Sequence, residues 1–221
     1  KETMNNKKPT MPLLIFTLLL TTHLTHSQED LPERARTLTN QHKLEEAYIV
    51  LNYLIRKEPL NFSAHLHATR ISMARNDLAT ALRHACAAVA IQPPTPEAQH
   101  DLANMMLNLG NAFFNTRRTQ EALTAFRTIL QLSPNYGAVH HNIAFTLAEQ
   151  AGRHHEAIAH YHKALLRQPT VAEVHFCLAN SYLATGNLLD GFAHYLWRWQ
   201  RGDAAPRSFA YPLAQQWAGE S

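Results

Sequence analysis

Histidine is the first residue type in this chain to ask for chemistry, because 15 of them are present and neutral imidazole is the commonest metal ligand among side chains. The densest run is His154-His155-Glu156-Ala157-Ile158-Ala159-His160-Tyr161-His162. A zinc site of the H-E-x-x-H kind needs two imidazoles four residues apart on one helix face. His155 and His160 are five apart, about 140° around a helix, so one ion cannot take both. Glu156 sits just before Ala157, a packing position, where surface carboxylates are common. The run therefore reads as solvated surface histidine, with a metal site as the lesser alternative. No glycine-rich phosphate loop, nucleophile elbow or paired-carboxylate setting is found. No catalytic residue, cofactor or metal is expected.

Cys86 and Cys177 are the only cysteines. Each lies within a helical pattern, far apart along the chain, so they read as small apolar side chains rather than a disulfide. The isoelectric point near 9.0 would suit a nucleic-acid binder. However, Lys1, Lys7 and Lys8 fall in a leader, with Glu2 as its only acid, and outside it basic and acidic residues differ by one. A nearly neutral body lacks the electrostatic footprint for phosphate backbones, and nucleic acid is not expected as a partner.

The elements that must position any site are helices punctuated by prolines. Pro59, Pro93, Pro134 and Pro169 each end an apolar helical segment, at separations of 34, 41 and 35 residues. A proline that stops a helix at such a period turns the chain into the next hairpin. Twelve residues before these prolines lie Ala47, Ala81, Ala122 and Ala157, small enough for two helices to approach closely. Four residues later come Leu51, Ala85, Phe126 and Tyr161, one turn along the same face. Leu109-Gly110-x-x-Phe113 and Leu178-Ala179-x-x-Tyr182 belong to first helices. Gly152, Gly186 and Asn76-Asp77 suit the turns, where a left-handed backbone is needed.

These positions resemble the tetratricopeptide pattern W-x2-L-G-x2-Y…A-x3-F…P over roughly residues 30–201. Unit two departs most, with Ala68-Thr69 for Leu-Gly and Ser72 at the aromatic position. The resemblance implies an all-α fold, a right-handed α-solenoid of helical hairpins with a C-terminal capping segment. The array is expected over 28–201, in units of about 28–61, 62–95, 103–136, 137–171 and 172–201. The seven additional residues around Pro94–His100 predict a long first helix in unit three, from about Pro96 to Phe114, capped by Thr95.

Stacked hairpins leave their first helices lining a concave face. The repeat register places Arg70, Asn108, Asn111, His141, Asn142 and Asn180 there. Some repeats of this family bind extended peptides through asparagines, because an amide pairs with both backbone N–H and C=O. The resemblance therefore implies a protein or peptide segment as partner. Asn108 and Asn142 are equivalent, but the next rung is Cys177, so the ladder is broken. The face also lacks the lysines of repeats that clamp a terminal carboxylate.

The two ends carry other signals. Residues 1–27 run from a basic start through an apolar core, Met11 to Leu20, too short for a comfortable membrane span. Thr25-His26-Ser27 offers modest cleavage residues before Gln28. This reads as an export signal, sending the protein to the periplasm or exterior, or as an uncleaved anchor in the inner membrane. At the other end, Gly191-Phe192-Ala-His-Tyr195-Leu-Trp197-Arg198-Trp199 leads into a helix-breaking 202–221 segment containing Trp217. One reading is a helix that buries Trp197 and Trp199 to seal the last repeat. The other is a resemblance to bacterial repeat proteins in which G-W-x-x-Y-x-W-R-W and P-x-W-x-G-E precede a glycosyltransferase-like domain. Phe192 stands in place of the first Trp, and Ala218 in place of the usual acidic residue. Tyr195, Trp197, Arg198, Trp199 and Trp217 would then form a docking surface. The leading expectation is an interaction scaffold that is not itself an enzyme. The alternative is the non-catalytic arm of a glycosyltransferase-like protein whose catalytic domain lies beyond Ser221.

Overall fold

The computed structural model describes residues 31–200. The leader over 1–27 and the 202–221 segment with Trp217 lie outside the described residues. Ten α-helices occupy the described chain: α1 (Leu31–Asn40), α2 (Leu44–Lys57), α3 (Phe62–Ala74), α4 (Leu78–Ile91), α5 (Pro96–Asn115), α6 (Thr119–Leu132), α7 (Gly137–Ala148), α8 (His154–Leu165), α9 (Ala172–Ala184) and α10 (Leu188–Tyr195). A 3-10 turn, Leu196–Gln200, follows. The helices pair into five successive hairpins, and each hairpin packs on the next to make a helical solenoid. Among the described residues, no helix is long and apolar enough to cross a membrane.

Local chemistry explains where the helices start. Asn61, Asp77, Thr95 and Asn187 cap α3, α4, α5 and α10, each side-chain oxygen accepting from a backbone N–H three residues on. The long α5 begins at Pro96 as expected, with proline in the first turn where its missing N–H costs nothing.

The turns inside the hairpins end the first helices in one way. His42, Asn76, Arg117, Gly152 and Gly186 all have positive φ, between 58° and 80°. In four of these turns the next residue donates five residues back, Lys43 to Leu38, Asp77 to Ser72, Arg118 to Phe113 and Asn187 to Tyr182. This is the Schellman closure, which satisfies carbonyls that the helix end would leave open. The fourth turn holds the extra residue of its unit, and there Arg153 donates to Gln150 instead.

The core runs along the array. Ala47, Ala81, Ala122 and Ala157 are fully buried, as are Leu51, Ala85, Phe126 and Tyr161 one turn later. One apolar cluster spans Ala35 to Ile71 in α1–α3, and a second runs from Ala81 in α4 to Leu178 in α9. Cys86 and Cys177 are not bridged to each other.

Candidate partner-binding groove

The first helices α3, α5, α7 and α9 carry the six expected groove residues. Arg70, Asn108, Asn111 and Asn180 are exposed, while His141 and Asn142 are half-buried. The structure joins one pair among them: Asn142 Nδ2 donates to Asn111 Oδ1 at 3.2 Å across two adjacent hairpins. That bond uses one donor and one acceptor, so the pair keeps further amide N–H and carbonyl capacity for a ligand. Arg70, Asn108 and Asn180 are not hydrogen-bonded to this pair. The following rung is Cys177, whose thiol lies 3.6 Å from Glu173 Oε1.

Beside the amide pair lies an aromatic shelf that the sequence reading missed. The rings of Phe114 on α5 and Phe145 on α7 sit 5.4 Å apart, and Phe145 remains exposed. With Asn115, Arg117 and Glu149 they line a shallow pocket of about 240 Å³. Arg117 and Glu149 approach to 3.8 Å at its rim. The repeat register contained the signal. Phe145 stands two residues before buried Leu147, as Asn111 does before Phe113 and Asn180 before Tyr182.

His141 closes the other side of the shelf, its ring 6.3 Å from Phe145 and 6.0 Å from Tyr161. Burial holds its pKa below the usual imidazole value, opposed by the Glu173 carboxylate. Its Nε2 is buried and without a hydrogen-bond partner. At the other end of the face, burial followed by the charges of Arg70 and Arg36 lowers the pKa of His67.

The histidines require a correction. His160 is not a solvated surface residue: its Nδ1 faces His140 Nδ1 at 3.0 Å. The same arrangement recurs between His65 and His84 at 3.2 Å and between His175 and His194 at 2.8 Å. In each pair the first-helix ring places Nε2 on the carbonyl of the proline that closed the preceding hairpin, Pro59, Pro134 or Pro169, at 2.8–3.1 Å. That bond fixes the tautomer. Nε2 must carry the proton, so Nδ1 is the acceptor and the second-helix His donates from its own Nδ1. The surface reading of the H-H-E-x-x-x-H run looked only along α8, whereas the partner of His160 comes from α7. His155 does remain exposed, and exposed His162 pairs through Nε2 with the Tyr182 hydroxyl at 2.7 Å. Among the described residues, no group of three or more His, Cys, Asp or Glu side chains is placed to hold a metal ion.

The C-terminal end differs from the expected capping helix with both tryptophans on it. The α-helix stops at Tyr195 and the chain tightens into the 3-10 turn. Trp197 stacks on His175 with ring centroids 4.0 Å apart. Arg198 lies over Tyr195 and Trp199 and donates to the Tyr195 hydroxyl at 3.0 Å. Trp197 therefore covers part of the last hairpin, but Trp199 stays 46% exposed, together with Leu188, Leu189, Phe192 and Leu196.

Comparisons with known proteins agree with this architecture. Tetratricopeptide-repeat family models match residues 103–136 and 144–205. No curated protein matches the chain significantly. Among solved structures, the crystal structure of MamA protein is similar at 15% identity with a TM-score of 0.57, covering 78% of this chain and 92% of that one. A second MamA crystal structure gives 16% identity and a TM-score of 0.52, with 74% and 91% coverage. YrrB, described as a TPR protein with an unusual peptide-binding site, is similar at 13% identity and a TM-score of 0.56, covering 84% of this chain and 91% of that one. Identities this low speak for the fold. The chain carries tetratricopeptide repeats, arranged in an all-helical solenoid of the kind formed by MamA and YrrB.

Proposed function

We propose that the protein is an interaction scaffold that takes an extended peptide segment along the face formed by its first helices. The carrying observation is the Asn111–Asn142 amide pair set beside the Phe114–Phe145 shelf. Amides can read a peptide backbone irrespective of its sequence, and the aromatic shelf would receive an apolar side chain, which gives selectivity. The peptide site of YrrB, a protein of similar fold, supports the same reading. The glycosyltransferase-arm alternative is not favoured. The similar structures are repeat proteins.

The test is to select binders from a random peptide display library on the full chain and measure their affinity by fluorescence polarisation. Asn142→Ala should weaken a selected peptide about 5- to 10-fold with helix content unchanged by circular dichroism. Equal affinity in the variant would place the site elsewhere.

A further inference from the structure

The three His–His pairs have no part in the groove reading, and their repetition is not a requirement of the fold. Unit three shows as much: at the two equivalent positions it carries Met106 and Ala125, both fully buried and apolar. Three of the five hairpins thus replace an apolar contact by two imidazoles and a proline carbonyl. Each such pair ties three pieces of chain together: the end of one hairpin and both helices of the next. The tied junctions are those at Pro59, Pro134 and Pro169. The junction from unit two to unit three, at Pro93, has none.

We propose that these pairs are acid-sensitive latches that hold the repeat junctions closed when neutral and release them together as the pH falls. The reasoning is proton counting. A neutral pair holds one proton on the first-helix Nε2, bonded to the carbonyl, and one on the second-helix Nδ1, bonded to the facing Nδ1. A third proton can enter only at the second-helix Nε2, which keeps both bonds but puts a charge in a site that is buried at His84 and half-buried at His160 and His194. A fourth must enter at the first-helix Nδ1, where two N–H groups would point at each other and the latch opens.

The surroundings oppose even the third proton. In the His65–His84 pair, the His84 Nε2 lies 3.4 Å from the Tyr48 hydroxyl, and Arg56 and Arg83 line the same pocket. Burial, His65 and Arg83 together push the His84 pKa down to about 4, with only Asp77 acting the other way. The His140–His160 pair faces Arg127 on α6, with Lys163 and Glu156 on its own α8 and Arg167 at the pocket rim. Burial, His140, Lys163 and Arg127 push His160 down to about 4 against Glu156. Burial, with Lys163, also lowers His140, against its bond to the Pro134 carbonyl. The His175–His194 pair meets His162 of α8, Tyr182 of α9 and Asp190 of α10. Burial, His175 and His162 lower His194, with Asp190 opposing.

The sign follows from linkage. The unfolded chain takes up the second-helix protons at about pH 6.5. In the folded chain His84 and His160 take theirs up only toward about 4, and His194 below its ordinary value. The unfolded state therefore binds more protons in between. The stabilisation is complete above about pH 6.5 and is lost as the pH falls toward 4. Carboxylates such as Glu121 and Glu156, whose pKa values are lowered from 4.5, act below this window.

The experiment is thermal unfolding of the full chain between pH 7 and pH 5, for the wild type and for His140→Met with His160→Ala, which copies unit three. The double variant should show a smaller drop in melting temperature than the wild type, by somewhat less than about one third. One of three pairs is gone, while His67 and His141, also lowered by burial, add an acid-linked loss of the same sign. An undiminished drop would overturn the proposal. Imidazole NMR titration of the wild type needs no variant: second-helix rings titrating well below 6.5 support the latch, and midpoints near about 6.5 defeat it. Zinc at neutral pH should leave the melting temperature unchanged. A rise of several degrees that the double variant reduces would instead make the pairs metal ligands.

Discussion

The ring of Phe126 on α6 occupies the space that a side chain on Gly110 of α5 would need. Phe126 is 1% exposed and Gly110 is buried, so neither can move away cheaply. Glycine is required here for close helix approach, since its backbone lies inside a regular helix. Gly110→Ala should destabilise the protein by about 1–3 kcal/mol through overpacking. Urea unfolding of the variant checks this; an unchanged midpoint would mean that the ring swings aside.

The turn between α5 and α6 asks for a glycine that is absent. Arg117 has φ of 61° at the position where Gly152 and Gly186 stand in units four and five. Its ion pair with Glu149 is long and largely exposed, so it contributes little. Arg117→Gly should therefore raise stability by about 0.5–1 kcal/mol, the left-handed strain relieved less the entropy added to the unfolded chain. A scanning-calorimetry melt that moves down would show that the Arg117 side chain matters more than its backbone.

His140 and His160 should behave as a coupled unit. His140→Ala removes an acceptor from half-buried His160 and a donor from the Pro134 carbonyl, at a cost of about 1–3 kcal/mol at pH 7. His160→Ala alone should cost less, because the Pro134 bond survives. A double-mutant cycle at pH 7 should give a coupling of at least about 0.5 kcal/mol. Strict additivity would mean that the ring–ring bond adds nothing.

Phe145 should control selectivity rather than the presence of binding. Phe145→Ala removes half of the aromatic shelf but leaves the Asn111–Asn142 bond in place. For a selected peptide with an apolar anchor, affinity should fall about 10-fold or more, while a variant peptide with alanine at the anchor should hardly respond. Equal losses for both peptides would indicate damage to the groove as a whole.

Much of the molecule was legible before any coordinates. The proline period, the four alanines and the Thr95-Pro96 cap predicted the hairpins, the close helix contacts and the long α5. Each of these depends on local chemistry: a proline stops a helix, a small residue permits approach, and a hydroxyl caps a free N–H. Asn76, Gly152 and Gly186 marked their turns because glycine, lacking a Cβ, and asparagine tolerate positive φ. His42 and Arg117 adopt the same conformation without any such mark, forced by the hairpin closure around them.

The relationships that only tertiary structure decided join residues from different helices. His140 meets His160 twenty residues away, and Asn142 meets Asn111 thirty-one residues away. Along α8 alone His160 had no partner, and along α7 alone Phe145 was one more apolar side chain. Whether an imidazole is solvated or locked to another, and whether an aromatic ring is core or shelf, depends on what the neighbouring hairpin brings opposite it. Periodicity gives the face of a helix on which a residue lies; the angle and register at which hairpins stack determine what that face meets.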